Sequence, residues 1–166
     1  MGRILGLDYG KRRVGVAVSD PGRSIATPVE IYEQRDPVQN ARHFRKLVEE
    51  HDVDRVVVGL PLHTSGRLGE LAIAARAWGA WLAEVTRLPV VYHDERYSSV
   101  EANNVLIDSG FKARKRKEYR DMLAARIMLQ NYLDAGCPTT EIEALPLDDT
   151  TSMAEAEPPN PPDSTA

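Results

Sequence analysis

The sequence predicts an α/β fold in which a mixed sheet carries helices on its faces, and two features of its patterning say so. Before residue 35 the apolar residues fall in three short runs parted by turn residues, as in strands that follow one another directly. After residue 35, amphipathic helical stretches alternate with short apolar runs, so the remaining strands are joined across helices.

The first run, 4–7, reads as a buried strand that ends at Asp8 and turns at Gly10. Val14-Gly15-Val16-Ala17-Val18 follows closely enough to make the two a hairpin. Residues 25–31 give a third strand, in which Pro28 marks an edge or an irregularity. Asp36-Pro37 has the cap and first-turn proline of a helix start, and Val38, Ala41, Phe44, Leu47 and Val48 keep helical spacing to about residue 51. Residues 54–60 are nearly all apolar, as in a sheet covered on both faces. A loop over 61–68 leads to a helix at roughly 69–86, with Ala72, Ala75, Trp78, Gly79 and Leu82 on one side. The fifth strand, 89–93, runs into Asp94-Glu95-Arg96. Ser98 or Ser99 caps a further helix to about residue 108; a basic connection and a last helix over about 117–134 complete the pattern.

The length of 166 residues suits one domain, 1–136, with an acidic, proline-rich tail, 137–166. Residues 136–166 hold seven acids, no Lys or Arg and six of the eleven prolines, so the tail is expected to be largely disordered. Removing it turns a net charge of −4 into a body with 21 basic and 18 acidic residues, compatible with a polyanionic partner. No apolar run approaches the ~20 residues of a membrane span, and the first strand starts too early for a signal peptide. A single cysteine, Cys137, allows no intrachain disulfide and points to a cytoplasmic location. His43, His51, His63 and His93 lack zinc-ligand spacing.

Three carboxylates acquire meaning together. Asp8 ends the first strand and Glu95 lies just past the fifth; Asp94 beside it faces the opposite way in an extended chain. Asp121 shares a helical stripe with Ala124, Ala125, Met128 and Tyr132, where a charge is out of place unless partnered. Two like charges ~4 Å apart repel by about 4 kcal/mol even at an effective dielectric of 20. A converging trio therefore calls for a cation, and an all-oxygen donor set suits Mg²⁺ or Mn²⁺, the ions of two-metal phosphodiester hydrolysis. The alternatives are a turn aspartate at Asp8, an Asp94/Glu95 turn and an Arg salt bridge at Asp121. Lys112, Arg114, Lys115, Arg116 and Lys117 lead directly into the Asp121 helix, and Lys11, Arg12 and Arg13 follow Asp8, so both runs are candidates for holding phosphates.

The chain resembles the bacterial YqgF proteins, also called the RuvX-like family of Holliday junction resolvases or pre-16S rRNA nucleases. The resemblance rests on Ile4-Leu5-Gly6-Leu7-Asp8-Tyr9-Gly10-Lys11-Arg12-Arg13-Val14-Gly15-Val16-Ala17-Val18-Ser19-Asp20, Val58-Gly59-Leu60-Pro61-Leu62, Asp94-Glu95-Arg96, and Asp121 followed by Ala124-Ala125 and Leu129-Gln130. It implies an RNase H-like fold with a five-stranded mixed sheet, and acidic metal ligands at Asp8, Glu95 and Asp121. It also implies a Mg²⁺-dependent nuclease of ribosome biogenesis, active in rRNA processing at the 5′ end of pre-16S rRNA, with Arg96 beside the metal site. Departures occur at Leu62-His63-Thr64-Ser65-Gly66, at Tyr97-Ser98-Ser99 and in the acidic tail. Rival expectations are a DNA-junction resolvase and a non-catalytic protein that binds pre-ribosomal RNA. The Asp8-Tyr9-Gly10 turn also has a distant likeness to actin-like phosphotransferases, but about 135 ordered residues cannot supply the two domains those need.

Overall fold

Five short segments, the central ones buried along nearly their whole length, build one sheet. The computed structural model describes residues 2–60, 69–94 and 113–139, and for residues 113–118 and 121 it describes the backbone alone. Strands β1 (Arg3–Asp8), β2 (Arg13–Ser19), β3 (Ala26–Glu33), β4 (Val53–Leu60) and β5 (Val90–Asp94) lie in the order β3-β2-β1-β4-β5. The first three form an antiparallel meander, and β4 and β5 join β1 in parallel, giving the RNase H-like sheet expected above. β1 is thus central, and the carboxyl ends of β1, β3, β4 and β5 share one edge. β3 starts later and ends later than its apolar run suggested. Ile25 is 61 % exposed and belongs to the preceding turn, where the Asp20 carboxylate accepts from the N–H groups of Ser24 and Ile25. Pro28 does mark an edge strand, with the register skipping Val29 between the pairs Val16–Glu30 and Ala17–Pro28.

Helix α1 (Pro37–Glu50) starts as its sequence dictates: the Asp36 side chain accepts from the Gln39 N–H at 2.8 Å. Its buried stripe is Asn40, Ala41, Phe44 and Leu47, and Val38, expected inside, is 68 % exposed. Asn40 takes an inner place because its amide ties the preceding link together. Its Oδ1 accepts from the Tyr32 hydroxyl (2.7 Å) and the Arg35 N–H (2.9 Å), and its Nδ2 donates to the Arg35 carbonyl (3.2 Å). Helix α2 (Glu70–Thr86) buries the expected Ala72, Ala75, Trp78, Gly79 and Leu82. Together α1 and α2 cover the sheet face formed by Leu5, Leu7, Val14, Val16, Val56, Val58 and Leu60.

Helix α3 (Ala113–Asp134) covers the other face, packing Ala125, Met128, Leu129 and Tyr132 on Ile4, Ala17, Val57 and Val91. It begins earlier than expected, so residues 113–117 of the basic run are helical and not a connection. Lys, Arg and Ala are strong helix formers, yet without apolar residues they show no period to read. The helix lies close to β1: a Cβ on Gly6 would stand 2.8 Å from the Leu129 Cβ. Beyond α3 the Tyr132 hydroxyl donates to the Pro138 carbonyl at 2.7 Å, fastening the chain where it leaves the domain. The expected loop at 61–68, the helix to about 108 and the tail from residue 140 lie outside the described residues. Among the described residues no helix is long and apolar enough to cross a membrane.

Candidate active site

Asp8 closes the central strand, and the sheet register decides what surrounds it. Leu7 belongs to the core under α1 and α2, whereas Ile4 belongs to the core under α3, so Gly6 and Asp8 face α3. Gly15 pairs directly with Asp8 in β2 and shares the face of Ala17. In β4, Val58 pairs with Leu7, so the next residue, Gly59, stands level with Asp8 and shares the face of Val57. Three strands therefore place Gly6, Gly15 and Gly59 next to one carboxylate; Leu129 of α3 covers Gly6, which leaves Gly15 and Gly59 as the floor without a Cβ beside Asp8. The sequence shows these glycines individually; only the register brings them together.

A cavity of about 360 Å³ opens beside this floor, bordered by Asp8, Tyr9, Arg12, Arg13, Gly15 and Ile31. The hairpin tip that forms its rim is tight enough to need glycine, since a Cβ on Gly10 would come within 2.5 Å of the Arg13 carbonyl oxygen. Gln34, which sequence reasoning passed over, holds that tip. Its Nε2 donates to the Gly10 carbonyl at 2.6 Å, and its backbone N–H donates to the Arg12 carbonyl at 2.8 Å. Lys11, Arg12 and Arg13 are all exposed there. Burial pushes the Tyr9 phenol above its ordinary pKa, and its ring lies 5.2 Å from that of Trp78.

The remaining expected residues divide sharply. Asp94 pairs with Leu60, which faces the α1–α2 core, so Asp94 lies on the opposite side of the sheet from Asp8. His93 pairs with Gly59 and is on the Asp8 face, its ring edge-on to Tyr132 at 5.9 Å. Burial lowers the His93 pKa against the opposing pull of the Asp94 carboxylate. The course of α3 follows from its contacts: Leu129 sits over Gly6, and Gln130 accepts from the Ala26 N–H and donates to the Ser24 carbonyl, at the edge away from Asp8. Position 121, eight residues earlier and ~12 Å back along the helix, is directed toward the Asp8 edge. Arg114, Lys115, Arg116 and Lys117 form the opening turns of the same helix. Glu95, Arg96 and Lys112 lie outside the described residues, as does the side chain of Asp121. Among the described residues no three His, Cys, Asp or Glu side chains gather as a metal site. Asp8 itself suits one: an oxygen donor beside a cavity whose lining, among the described residues, has no sulfur or imidazole ligand.

The family described as "RuvX: Holliday junction resolvase" matches this chain over residues 2–135. A Chloroflexus aggregans protein named "Putative pre-16S rRNA nuclease" is 46 % identical over 132 residues, covering 80 % of this chain and 93 % of its own length. A Rhodopirellula baltica protein of the same name is 34 % identical over 151 residues, 91 % of this chain and 87 % of the relative. Among solved structures, the Fowlpox virus resolvase in complex with Holliday junction DNA aligns with a TM-score of 0.52 at 13 % identity, covering 82 % of this chain and 99 % of that one, a likeness of fold.

Proposed function

The chain belongs to the RuvX family, and from that premise we propose that it is a nuclease, a phosphodiester hydrolase that processes the 5′ end of pre-16S rRNA in the cytoplasm. The observation that carries this reading is Asp8, presented at the end of the central strand on a glycine floor, with Arg12 and Arg13 across the cavity. Asp8, Glu95 and Asp121 hold Mg²⁺, or Mn²⁺ in its place. Two features support that set. Extended one residue past Asp94, the alternation of β5 returns to the face of Asp8, which favours Glu95 over Asp94. The direction of α3 favours Asp121 as the third member. The bound metal supplies activation of a water and stabilisation of the leaving oxygen.

The other residues have work suited to their chemistry. Gly15 and Gly59, with no side chains, let a sugar-phosphate backbone approach the sheet at Asp8. Lys11, Arg12 and Arg13 hold phosphates at the mouth of the cavity, joined by Arg96, Lys112, Arg114, Lys115, Arg116 and Lys117. Asp8→Asn, nearly isosteric, is expected to abolish metal-stimulated cleavage of a pre-16S leader while leaving circular dichroism and the melting temperature close to wild type. Full activity in that variant would remove Asp8 from the reaction. The family description favours a second reading, cleavage of a four-way DNA junction by the same chemistry. Parallel assays with a leader RNA and a junction, with and without Mg²⁺, decide between the two substrates.

A further inference from the structure

A second basic feature lies away from the cavity at Asp8, in a groove of about 230 Å³ between β3 and α1. Arg35, Arg42 and Lys46 border it, and all three are exposed. Its base is formed by Tyr32 and His43, whose rings stack with centroids 4.0 Å apart and an angle of 9°. Of the acids closest in sequence, Glu33 is exposed and pairs with Arg13 across β2 and β3, on the opposite side of the strand from Tyr32, and the other two have engagements. Asp36 caps α1 through the Gln39 N–H, and the Glu30 carboxylate is bonded to His43 Nε2. Lys46 has an exposed Glu50 oxygen 3.8 Å away, a pair too solvated to neutralise it firmly. The guanidinium groups of Arg35 and Arg42 form no ion pair among the described residues.

Two pieces of geometry connect this groove with the candidate site. β3 runs in the same direction as β1, so α1 begins at the edge where Asp8 stands and leads away from it. Gln34 bonds to carbonyls of the hairpin tip, which sets the next residue, Arg35, beside Lys11 and Arg12. Arg42 and Lys46 follow along α1, one turn and ~6 Å apart. Arg12, Arg13, Arg35, Arg42 and Lys46 thus make a positive track from the mouth of the cavity, round the end of the sheet and along the helix.

We propose that this track is a second binding surface for the phosphodiester backbone of the nucleic-acid substrate, on the side of the sheet away from α3. The assignment rests on the nuclease reading above and adds where the substrate lies beyond the cut. Its function is to hold a long substrate in one register by phosphate contacts that carry no base information. The other ligand of matching charge is an acidic peptide segment, and the test separates the two.

The full-length chain is titrated in EDTA with a fluorescent single-stranded RNA of about 30 nucleotides, across a series of salt concentrations. The triple variant Arg35→Gln/Arg42→Gln/Lys46→Gln is expected to bind roughly tenfold more weakly near physiological salt. Its slope of log affinity against log salt should fall by about 2, three contacts at ~0.7 each. Arg87→Gln, just past the end of α2 and outside the groove, should change neither quantity. A triple variant with the wild-type slope overturns the assignment, as does an equal loss in Arg87→Gln. So does selective loss of binding to a synthetic peptide of residues 141–166 with RNA affinity retained. Because binding is read without metal, a failure to cut RNA in a separate Mg²⁺ assay counts against the nuclease reading and not against the track.

Discussion

Replacing Gly6 with alanine is expected to push α3 away from the sheet and to weaken both the fold and the site. The added Cβ would stand 2.8 Å from the Leu129 Cβ and 3.2 Å from each of its Cδ atoms. Ordinary carbon contacts lie at about 3.5–4.0 Å, so roughly 1 Å must be found somewhere. A new rotamer of Leu129 relieves the Cδ contacts but cannot move a Cβ, and Gly6 is fixed by pairing with Ala17 and Val57. The helix itself has to shift. Overpacking of this kind costs about 1–3 kcal/mol. For a folded region of this size that corresponds to a melting temperature lower by roughly 3–10 °C. Calorimetry of wild type and Gly6→Ala measures it. On the nuclease reading kcat should fall more than affinity, because α3 carries Asp121 and a displacement near 1 Å can cost on the order of 100-fold in rate. A Gly6→Ala protein melting within 1 °C of wild type, with unchanged turnover, would refute the close packing from which these numbers follow.

Two further expectations concern single groups. Asp36→Ala removes the acceptor for the Gln39 N–H and should lower stability by about 0.5–2 kcal/mol, seen as a lower urea midpoint with an unaltered slope. His93 has a folded pKa depressed by burial, so below an unfolded pKa near 6.5 the unfolded chain takes up a proton that the folded chain resists. Its contribution is therefore present above that pH and lost as pH falls through the folded value. The urea midpoint should drop between pH 7.5 and pH 5, and His93→Gln should flatten that drop; an equal drop in the variant would assign it to other groups.

Much of this architecture can be read from local chemistry. Asp36-Pro37 is a cap followed by a preset φ, and α1 starts there; Ala72, Ala75, Trp78, Gly79 and Leu82 recur at helical spacing, and α2 buries them. Reading failed where the deciding partner is not visible in a pattern. Val38 and Asn40 exchanged their expected places because Asn40 binds Tyr32 and Arg35, a matter of contacts and not of hydropathy. The start of α3 was hidden because a run of Lys and Arg has no apolar period. At the site, Asp8 could be singled out from its place after a buried strand. The glycine floor could not, since Gly15 and Gly59 come beside Asp8 only through pairing of β1 with β2 and β4. The pairing with Leu60 fixes which face Asp94 takes, whereas Glu95 lies outside the described residues.

The irregularity in β3 has a consequence for how copies of this chain meet one another. A sheet margin with an unbroken row of amide and carbonyl groups invites a strand from another molecule to continue the ladder. Here Pro28 has no hydrogen to donate and Val29 falls outside the pairing, so the row is interrupted halfway along. Self-association through that margin is discouraged by the covalent structure of the strand, and the protein can be crowded with its fellows without fusing to them along β3.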